Sequence, residues 1–148
     1  MKRGIPLADS PAGPLLDRLI ALSVVATAIV CVVMLARIQP DERGHGTHQQ
    51  LGLPPCGWPQ QHGIPCPTCG VTTAATLVVH LKPLHAIWTQ PFGAALALAG
   101  VGLACFALRA LLLRESLLAR ISLWPLGTLA ATAIALFFAG WGWTWLRW

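Results

Sequence analysis

The sequence contains few charged residues, and this scarcity excludes an ordinary soluble domain. Charged side chains make up 10% of the 148 residues, whereas 55% are hydrophobic and the mean hydropathy is +0.65. Soluble domains carry about 25% charged residues, and a soluble chain of this length cannot bury so much apolar surface. We therefore expect one integral membrane domain that covers residues 1–148 and lies in a lipid bilayer.

The residues and motifs of common catalytic sites are also scarce. The sequence has five carboxylates, none of them in the predicted helix that carries the C-x-x-C pair: Asp9, Asp17, Asp41, Glu42 and Glu115. It contains neither a glycine-rich phosphate loop nor an H-E-x-x-H motif. The ten basic residues lie at the ends of apolar segments and form no stripe interleaved with aromatic residues, which argues against a nucleic-acid partner. These absences favour a protein that is not an enzyme.

No segment has the alternating pattern of a β-strand, and long apolar runs dominate instead. They predict an all-α, multi-pass membrane protein with transmembrane helices at residues 19–36, 92–113 and 121–142. The first run is uncharged over 18 residues, so at about 1.5 Å per residue it nearly crosses a hydrocarbon core of about 30 Å. This run exceeds the roughly 7–15 residues of a signal peptide and lacks a small-x-small cleavage site, so we interpret it as a retained anchor.

Residues 39–91 differ from the rest of the chain. The first part, residues 39–70, holds six of the twelve prolines and six of the fourteen glycines. Such a segment predicts an irregular loop in contact with water, because lipid cannot satisfy non-helical backbone. The apolar run at residues 71–79 is too short to cross a membrane and is followed by His80 and Lys82. We expect a short interfacial or half-inserted helix at residues 67–81 and a second short helix at residues 84–90.

The basic residues favour one orientation of the three spans. With the N-terminus inside, the inner segments carry six Lys and Arg residues and the outer segments carry four. Basic residues are enriched in cytoplasmic loops. We therefore predict that the N-terminus lies inside and that the cysteine-rich loop lies on the extracytoplasmic side.

Three of the five cysteines lie close together in this loop. Cys56, Cys66 and Cys69 fall within fourteen residues of one another, with His62 between them. Pro67 suits the first position of a helix, which predicts that Cys66 lies just before that helix and Cys69 in its first turn. The positive end of the helix dipole would then lower the pKa of the thiols. We expect the remaining two, Cys31 and Cys105, to be small buried residues of the spans.

The predicted helix also carries a polar stripe. At 100° per residue, one face of residues 67–81 collects polar side chains, with Thr73, Thr76 and His80 in line with the two thiols. The stripe has two interpretations. It forms part of a functional site, or its threonines bond their own backbone and His80 marks the water line.

The cysteines are compatible with three chemistries. A tetrahedral zinc site would use the thiolates and imidazole that zinc prefers, from the set Cys56, His62, Cys66 and Cys69. Thiol–disulfide exchange would use Cys66 and Cys69, since C-P-x-C at a helix start is typical of redox motifs, although the βαβ pattern of the thioredoxin fold is absent. A static disulfide would join Cys56 to one of the pair. Covalent c-type haem is excluded because Gly70 follows Cys69.

The stretch C-P-T-C-G-V-T resembles the bacterial membrane family known as domain of unknown function 2752. That family carries a C-P-x-C-G-x-T-R signature at the head of a helix, and an Asn-Pro step follows about twenty residues later. The matching positions are Cys66, Pro67, Cys69, Gly70 and Thr72, with Cys56 as the family's upstream cysteine. Thr73 replaces the family's arginine, and Gln90–Pro91 stands where Asn-Pro is usual. The resemblance implies a protein of the bacterial cytoplasmic membrane.

Together these features predict a small non-enzymatic membrane protein. Its C-x-x-C loop would be stapled by a metal such as zinc or by a disulfide, and would bind another membrane protein or a second copy of the chain. The alternative is a membrane thiol–disulfide redox protein that acts through Cys66 and Cys69.

Overall fold

The structure, a computed structural model, describes residues 5–148. Two short 3-10 turns occur at Leu7–Asp9 and Thr47–Leu51. The α-helices in the described range are α1 (Pro14–Ala36), α2 (Gly57–His62), α3 (Val71–Val79), α4 (Pro83–Thr89), α5 (Pro91–Leu113), α6 (Leu117–Ile121) and α7 (Leu126–Leu146). No β-strand occurs between residues 5 and 148, which confirms the predicted all-α class.

Three of these helices are long and apolar enough to cross a membrane. They are α1 and α5, each of 23 residues, and α7, of 21 residues. At about 1.5 Å per residue, each is at least as long as a hydrocarbon core of about 30 Å. Their side chains are largely exposed, as expected for helices whose apolar surface faces lipid. The structure therefore contains three long apolar helices, as the sequence predicts.

The start of the third span differs from the prediction. The sequence predicts a helix from residue 121, but α6 ends at Ile121 and α7 begins at Leu126. Pro125 explains the break, because its ring disfavours helical backbone in the residue before it. The carbonyl of Pro125 then accepts the hydrogen bond of the Leu129 amide at 3.0 Å, as the first acceptor of α7.

The helix after the cysteines also starts later than predicted. The sequence predicts a helix at residues 67–81, whereas α3 covers only Val71–Val79. Gly70 has a φ of +87°, in the left-handed region, so the helix cannot continue back through it. Residues 67–70 form a turn in which the Cys69 amide donates to the Cys66 carbonyl at 3.0 Å. Both cysteines therefore precede α3, and the prediction that Cys69 lies in its first turn is wrong.

The chain divides into two compact units. The first comprises Met1–Cys31 and Gly100–Leu129. Its core contains four buried residues: Ala21, Ala107, Ala110 and Leu117. Asp17 of α1 is buried in this unit, where it accepts hydrogen bonds from the Ser116 hydroxyl at 2.6 Å and the Leu117 amide at 3.0 Å. The carboxylate thereby satisfies free N–H groups at the start of α6.

The second unit comprises Val32–Ala99 and Ala130–Trp148. Its core contains four buried residues of α3, α4 and α5: Ala74, Leu77, Ala86 and Ala94. Two glycines allow close helix contacts in this unit. A Cβ at Gly93 would lie 2.8 Å from the Val71 Cα, and a Cβ at Gly140 would lie 2.9 Å from the Phe92 Cβ. The cysteine-rich loop belongs entirely to this unit.

Candidate metal centre

Three thiols converge in the second unit. The Sγ atoms of Cys56, Cys66 and Cys69 all lie within 4.8 Å of one another, and those of Cys66 and Cys69 are 3.1 Å apart. All three cysteines are free, since a disulfide requires a sulfur–sulfur distance of about 2.05 Å. Thiolates bound at about 2.3 Å to a tetrahedral zinc ion lie roughly 3.8 Å apart. The cluster therefore has the ligand type of a metal centre, and its three sulfur atoms are close enough together to hold one ion.

Two segments of the chain bring the thiols together. Cys56 lies immediately before α2, and the other two cysteines occupy the turn before α3. A Cβ at Gly70 would lie 2.8 Å from the carbonyl oxygen of Gly44, so only glycine fits where the turn rests on the upstream loop. On the other side of the turn, the indole Nε1 of Trp141 donates to the Pro65 carbonyl at 3.0 Å. These contacts fix the turn between α7 and the loop at residues 39–52.

The two thiols of the C-x-x-C pair differ in acidity. Burial raises the pKa of Cys69 to about 12, and the hydrogen bond between the two thiols acts in the same direction. Burial also opposes ionisation of Cys66, but hydrogen bonds from the Cys69 thiol and the Thr68 hydroxyl outweigh it and lower the pKa of Cys66. Cys66 therefore ionises first, and the Cys69 thiol donates a hydrogen bond to the resulting thiolate.

His62 lies outside the group of three thiols. It ends α2, and its exposed ring stacks against Trp58 with the ring centroids 4.6 Å apart. Its role as a fourth ligand stays a prediction. Cys31 and Cys105 are exposed on α1 and α5, so the prediction that they are buried is wrong. Both lie on helices whose surfaces are apolar.

A cavity of about 570 Å³ opens beside the cysteines. The three thiols line it together with residues of the upstream loop and the chain end, among them Arg43, His48 and Trp148. His48 is held by the Pro54 carbonyl, 3.2 Å from its Nε2. Sequence reasoning missed His48 because it precedes Cys56 by eight residues in an irregular loop, where no periodicity indicates its direction. Its position follows only from the folded loop.

The polar stripe of α3 packs against the upstream loop. The hydroxyl of Thr73 lies 2.8 Å from that of Thr47, and Nε2 of His80 lies 3.0 Å from the Ile38 carbonyl oxygen. Thr76 instead donates to the Thr72 carbonyl of its own helix at 2.8 Å. The stripe therefore attaches the loop to α3, and one of its threonines bonds its own backbone.

Comparison with known proteins agrees with this description. Residues 56–104 match the model of a family described as protein of unknown function (DUF2752). No curated protein and no solved structure matches the chain. The matched region begins at Cys56 and contains the other two thiols, α3, α4 and the first part of α5. The family match therefore covers the cysteine cluster and the short helices that follow it in the chain. It confirms the resemblance of the C-P-T-C-G-V-T stretch to the family of unknown function DUF2752.

Proposed function

We propose that the cysteine cluster is a structural metal centre that fixes the loop of a membrane protein for binding a partner. The observation that carries this proposal is the convergence of three free thiols, from two segments, within 4.8 Å. Such a set supplies three of the four ligands of a structural zinc site. A static disulfide would explain two of these thiols and leave the third without a role.

The loop needs an internal cross-link because it has little hydrophobic core of its own. Helix α2 has six residues, none of them buried, and the turn at residues 67–70 is not helical. The binding energy of a metal at such a site is part of the local folding energy. Metal binding would therefore hold α2 and the C-x-x-C turn in one arrangement.

His62 is our proposed fourth ligand for a zinc ion. It is an exposed imidazole in the short helix that follows Cys56, and its ring lies against that of Trp58. Binding would require the imidazole to leave Trp58 and turn toward the thiols. Replacement of His62 by Ala should therefore weaken zinc binding, whereas His80→Ala should not, because that ring is already bonded to Ile38.

The partner is proposed to be another membrane protein or a second copy of this chain. Leu53 and Trp58, on either side of Cys56, expose 53% and 42% of their surface. Exposed apolar and aromatic side chains on a fixed loop are typical of contact surfaces. Sedimentation of the purified protein, with and without Trp58→Gln, would separate self-association from binding of a different protein.

A second function is favoured by the acidity of the thiols. A lowered pKa at Cys66 beside a protonated Cys69 suits exchange with a partner protein's disulfide. The Cys66 thiolate would attack one sulfur of that disulfide, and the partner's other sulfur would leave as a thiolate. Cys69 would give its proton to that leaving sulfur, and its own thiolate would then attack Cys66 and break the mixed disulfide, so that the partner's first sulfur leaves as a second thiolate. The chain would then hold a Cys66–Cys69 disulfide, and the partner would be reduced by two electrons.

One experiment separates the two functions. The purified protein is equilibrated in glutathione buffers of stepped potential, with and without zinc, and its free thiols are counted by alkylation and mass spectrometry. For a metal centre we expect three thiols that zinc protects and a chelator releases, with no change across the glutathione range. For a redox protein we expect two thiols to disappear together at a defined potential. Three thiols that stay reactive in every buffer would contradict both functions.

A further inference from the structure

A second cavity adjoins the first and shares Arg43, His45 and Trp148 with it. Its volume is about 740 Å³, within the usual range for binding sites of small molecules. The loop at residues 39–45, α4 and the end of α7 form its walls, all within the second unit. None of the three clustered cysteines lines it.

The charges around this cavity are unbalanced. Three cations line it, Arg43, Lys82 and Arg147, together with two carboxylates, Asp41 and Glu42. Asp41 is occupied by Arg43, which forms an ion pair with it at 2.8 Å. Among residues 5–148, neither Lys82 nor Arg147 forms an ion pair with a carboxylate. The remaining excess of positive charge favours an anionic ligand.

Arg147 is held in place although it has no carboxylate partner. Its Nη1 donates to the Trp88 carbonyl at 2.6 Å, and its guanidinium lies over the Trp88 ring, 4.9 Å from the centroid. A second ring, that of Trp143, lies 5.7 Å from the same guanidinium. These contacts use one donor and the faces of the group, so further N–H donors remain for an anion. A preorganised guanidinium is well suited to the paired oxygens of a phosphate.

Helix α4 presents two different faces. The positions spaced i, i+3 and i+7, namely Lys82, His85 and Thr89, line the cavity. The far side exposes Leu84 by 82%, and the preceding Leu81 is exposed by 87%, whereas Trp88 lies between the two faces, in contact with Arg147. Helix α4 therefore has one face toward a cationic cavity and an exposed apolar face. This arrangement is typical of helices that lie at the membrane surface.

The cavity also lies at the end of a candidate span. Thr144, Arg147 and Trp148 line it, and α7 ends at Leu146. Side chains at the end of a transmembrane helix lie at the level of the lipid head groups. Basic pockets beside transmembrane helices are known to hold the head groups of anionic lipids.

From these observations we propose that the cavity binds a phosphate group, with Lys82 and Arg147 as its ligands, and that this phosphate is the head group of an anionic phospholipid. The acyl chains would then lie along the exposed apolar face of α4. The proposal is independent of the metal centre, because it requires neither zinc nor the three thiols.

The test uses the full chain in nanodiscs of a zwitterionic lipid doped with phosphatidylglycerol. Lipid retained by the protein is measured by native mass spectrometry, with and without inorganic phosphate as competitor. Lys82→Gln and Arg147→Gln should each weaken retention of phosphatidylglycerol about tenfold. The matched control is Arg37→Gln, which removes the same charge from an exposed site in the same unit but outside the cavity.

Each outcome decides the proposal. Loss of retention in both cavity variants, with Arg37→Gln unchanged and phosphate unable to compete, supports the phospholipid. Competition by millimolar phosphate would keep the phosphate site and overturn the lipid as its ligand. An equal loss in Arg37→Gln would mean general attraction by charge. Equal retention of zwitterionic and anionic lipid would mean no preference for an anionic head group, since both lipids carry a phosphate; either result overturns the proposal. Because the Lys82 side chain is exposed and unpaired, Lys82→Gln keeps the test valid if Arg147→Gln fails to fold.

Discussion

The hydroxyl oxygens of Thr47 and Thr73 lie 2.8 Å apart, and both side chains are buried. Thr47 also accepts a hydrogen bond from the Asp41 amide at 3.0 Å. The pair therefore joins the loop before the cysteines to the helix after them. The two short hydroxyl side chains let the loop rest directly on α3.

We expect Thr73→Val to destabilise the second unit. Valine has nearly the shape of threonine but cannot bond Thr47, so a buried hydroxyl loses one partner at a cost of about 1–3 kcal/mol. The measurement is the thermal unfolding midpoint of the purified protein in detergent. The control is Thr72→Val on the same helix, whose side chain is only partly buried and forms none of the side-chain hydrogen bonds described for α3. Equal midpoints for the two variants would contradict the role assigned to the Thr47–Thr73 contact.

Two glycines should tolerate no side chain, while two others should accept one. Gly93→Ala and Gly140→Ala would place a Cβ within 2.9 Å of Val71 or Phe92, and we expect each to cost about 1–3 kcal/mol. Gly100 and Gly142 have nothing within 4 Å of such a Cβ, so their alanine variants serve as controls and should unfold near the wild-type temperature. If all four variants unfold at the same temperature, the close helix contacts at Gly93 and Gly140 are contradicted.

The apolar runs predicted the long helices well because lipid admits few alternatives to a helix of that length. Helix α5 begins at Pro91 and ends at Leu113, against a prediction of residues 92–113. The start of α3 was missed because it depends on the left-handed backbone of Gly70, and Pro67 gave a competing signal for a helix start. The contact of Thr47 with Thr73 joins residues 26 apart in the chain. No periodicity reports such a contact, so the surroundings of the thiols, His48 included, required the folded structure.

The two thiols of the C-x-x-C pair should react with an alkylating reagent over different pH ranges. Only the thiolate reacts, and the pKa of Cys66 is below its usual value of 9.0 whereas that of Cys69 is raised to about 12. In chelator-treated protein, alkylation of Cys66 should therefore rise as the pH increases toward 9, while Cys69 stays protonated and unreactive. Peptide mapping by mass spectrometry after a timed pulse of iodoacetamide measures both rates.

The same experiment has a matched variant. Thr68→Val removes a hydroxyl 3.5 Å from the Cys66 sulfur, so it should raise the pKa of Cys66 and slow its alkylation at pH 7. Equal rates for Cys66 and Cys69 in the wild type, at every pH, would rule out the asymmetry between them.

The count of basic residues predicts which side of the membrane each loop occupies. Six basic residues against four place the N-terminus inside, so residues 122–125 should be cytoplasmic, and the cysteine-rich loop should be outside. The measurement is labelling of intact cells by a membrane-impermeant maleimide, in a background without native cysteines. Gln61→Cys should be labelled and Leu123→Cys should not. The opposite pattern would reverse the orientation and place the three clustered thiols in a reducing compartment.

The metal content of five single Cys→Ala variants tests directly whether the three clustered thiols bind a metal ion. Each variant is purified, loaded with zinc, freed of excess metal and analysed for bound zinc per chain. We expect about one zinc ion in the wild type and in Cys31→Ala and Cys105→Ala, and a loss of most of it in Cys56→Ala, Cys66→Ala and Cys69→Ala. If Cys66→Ala and Cys69→Ala bind as much zinc as Cys31→Ala, the three clustered thiols are not a metal centre.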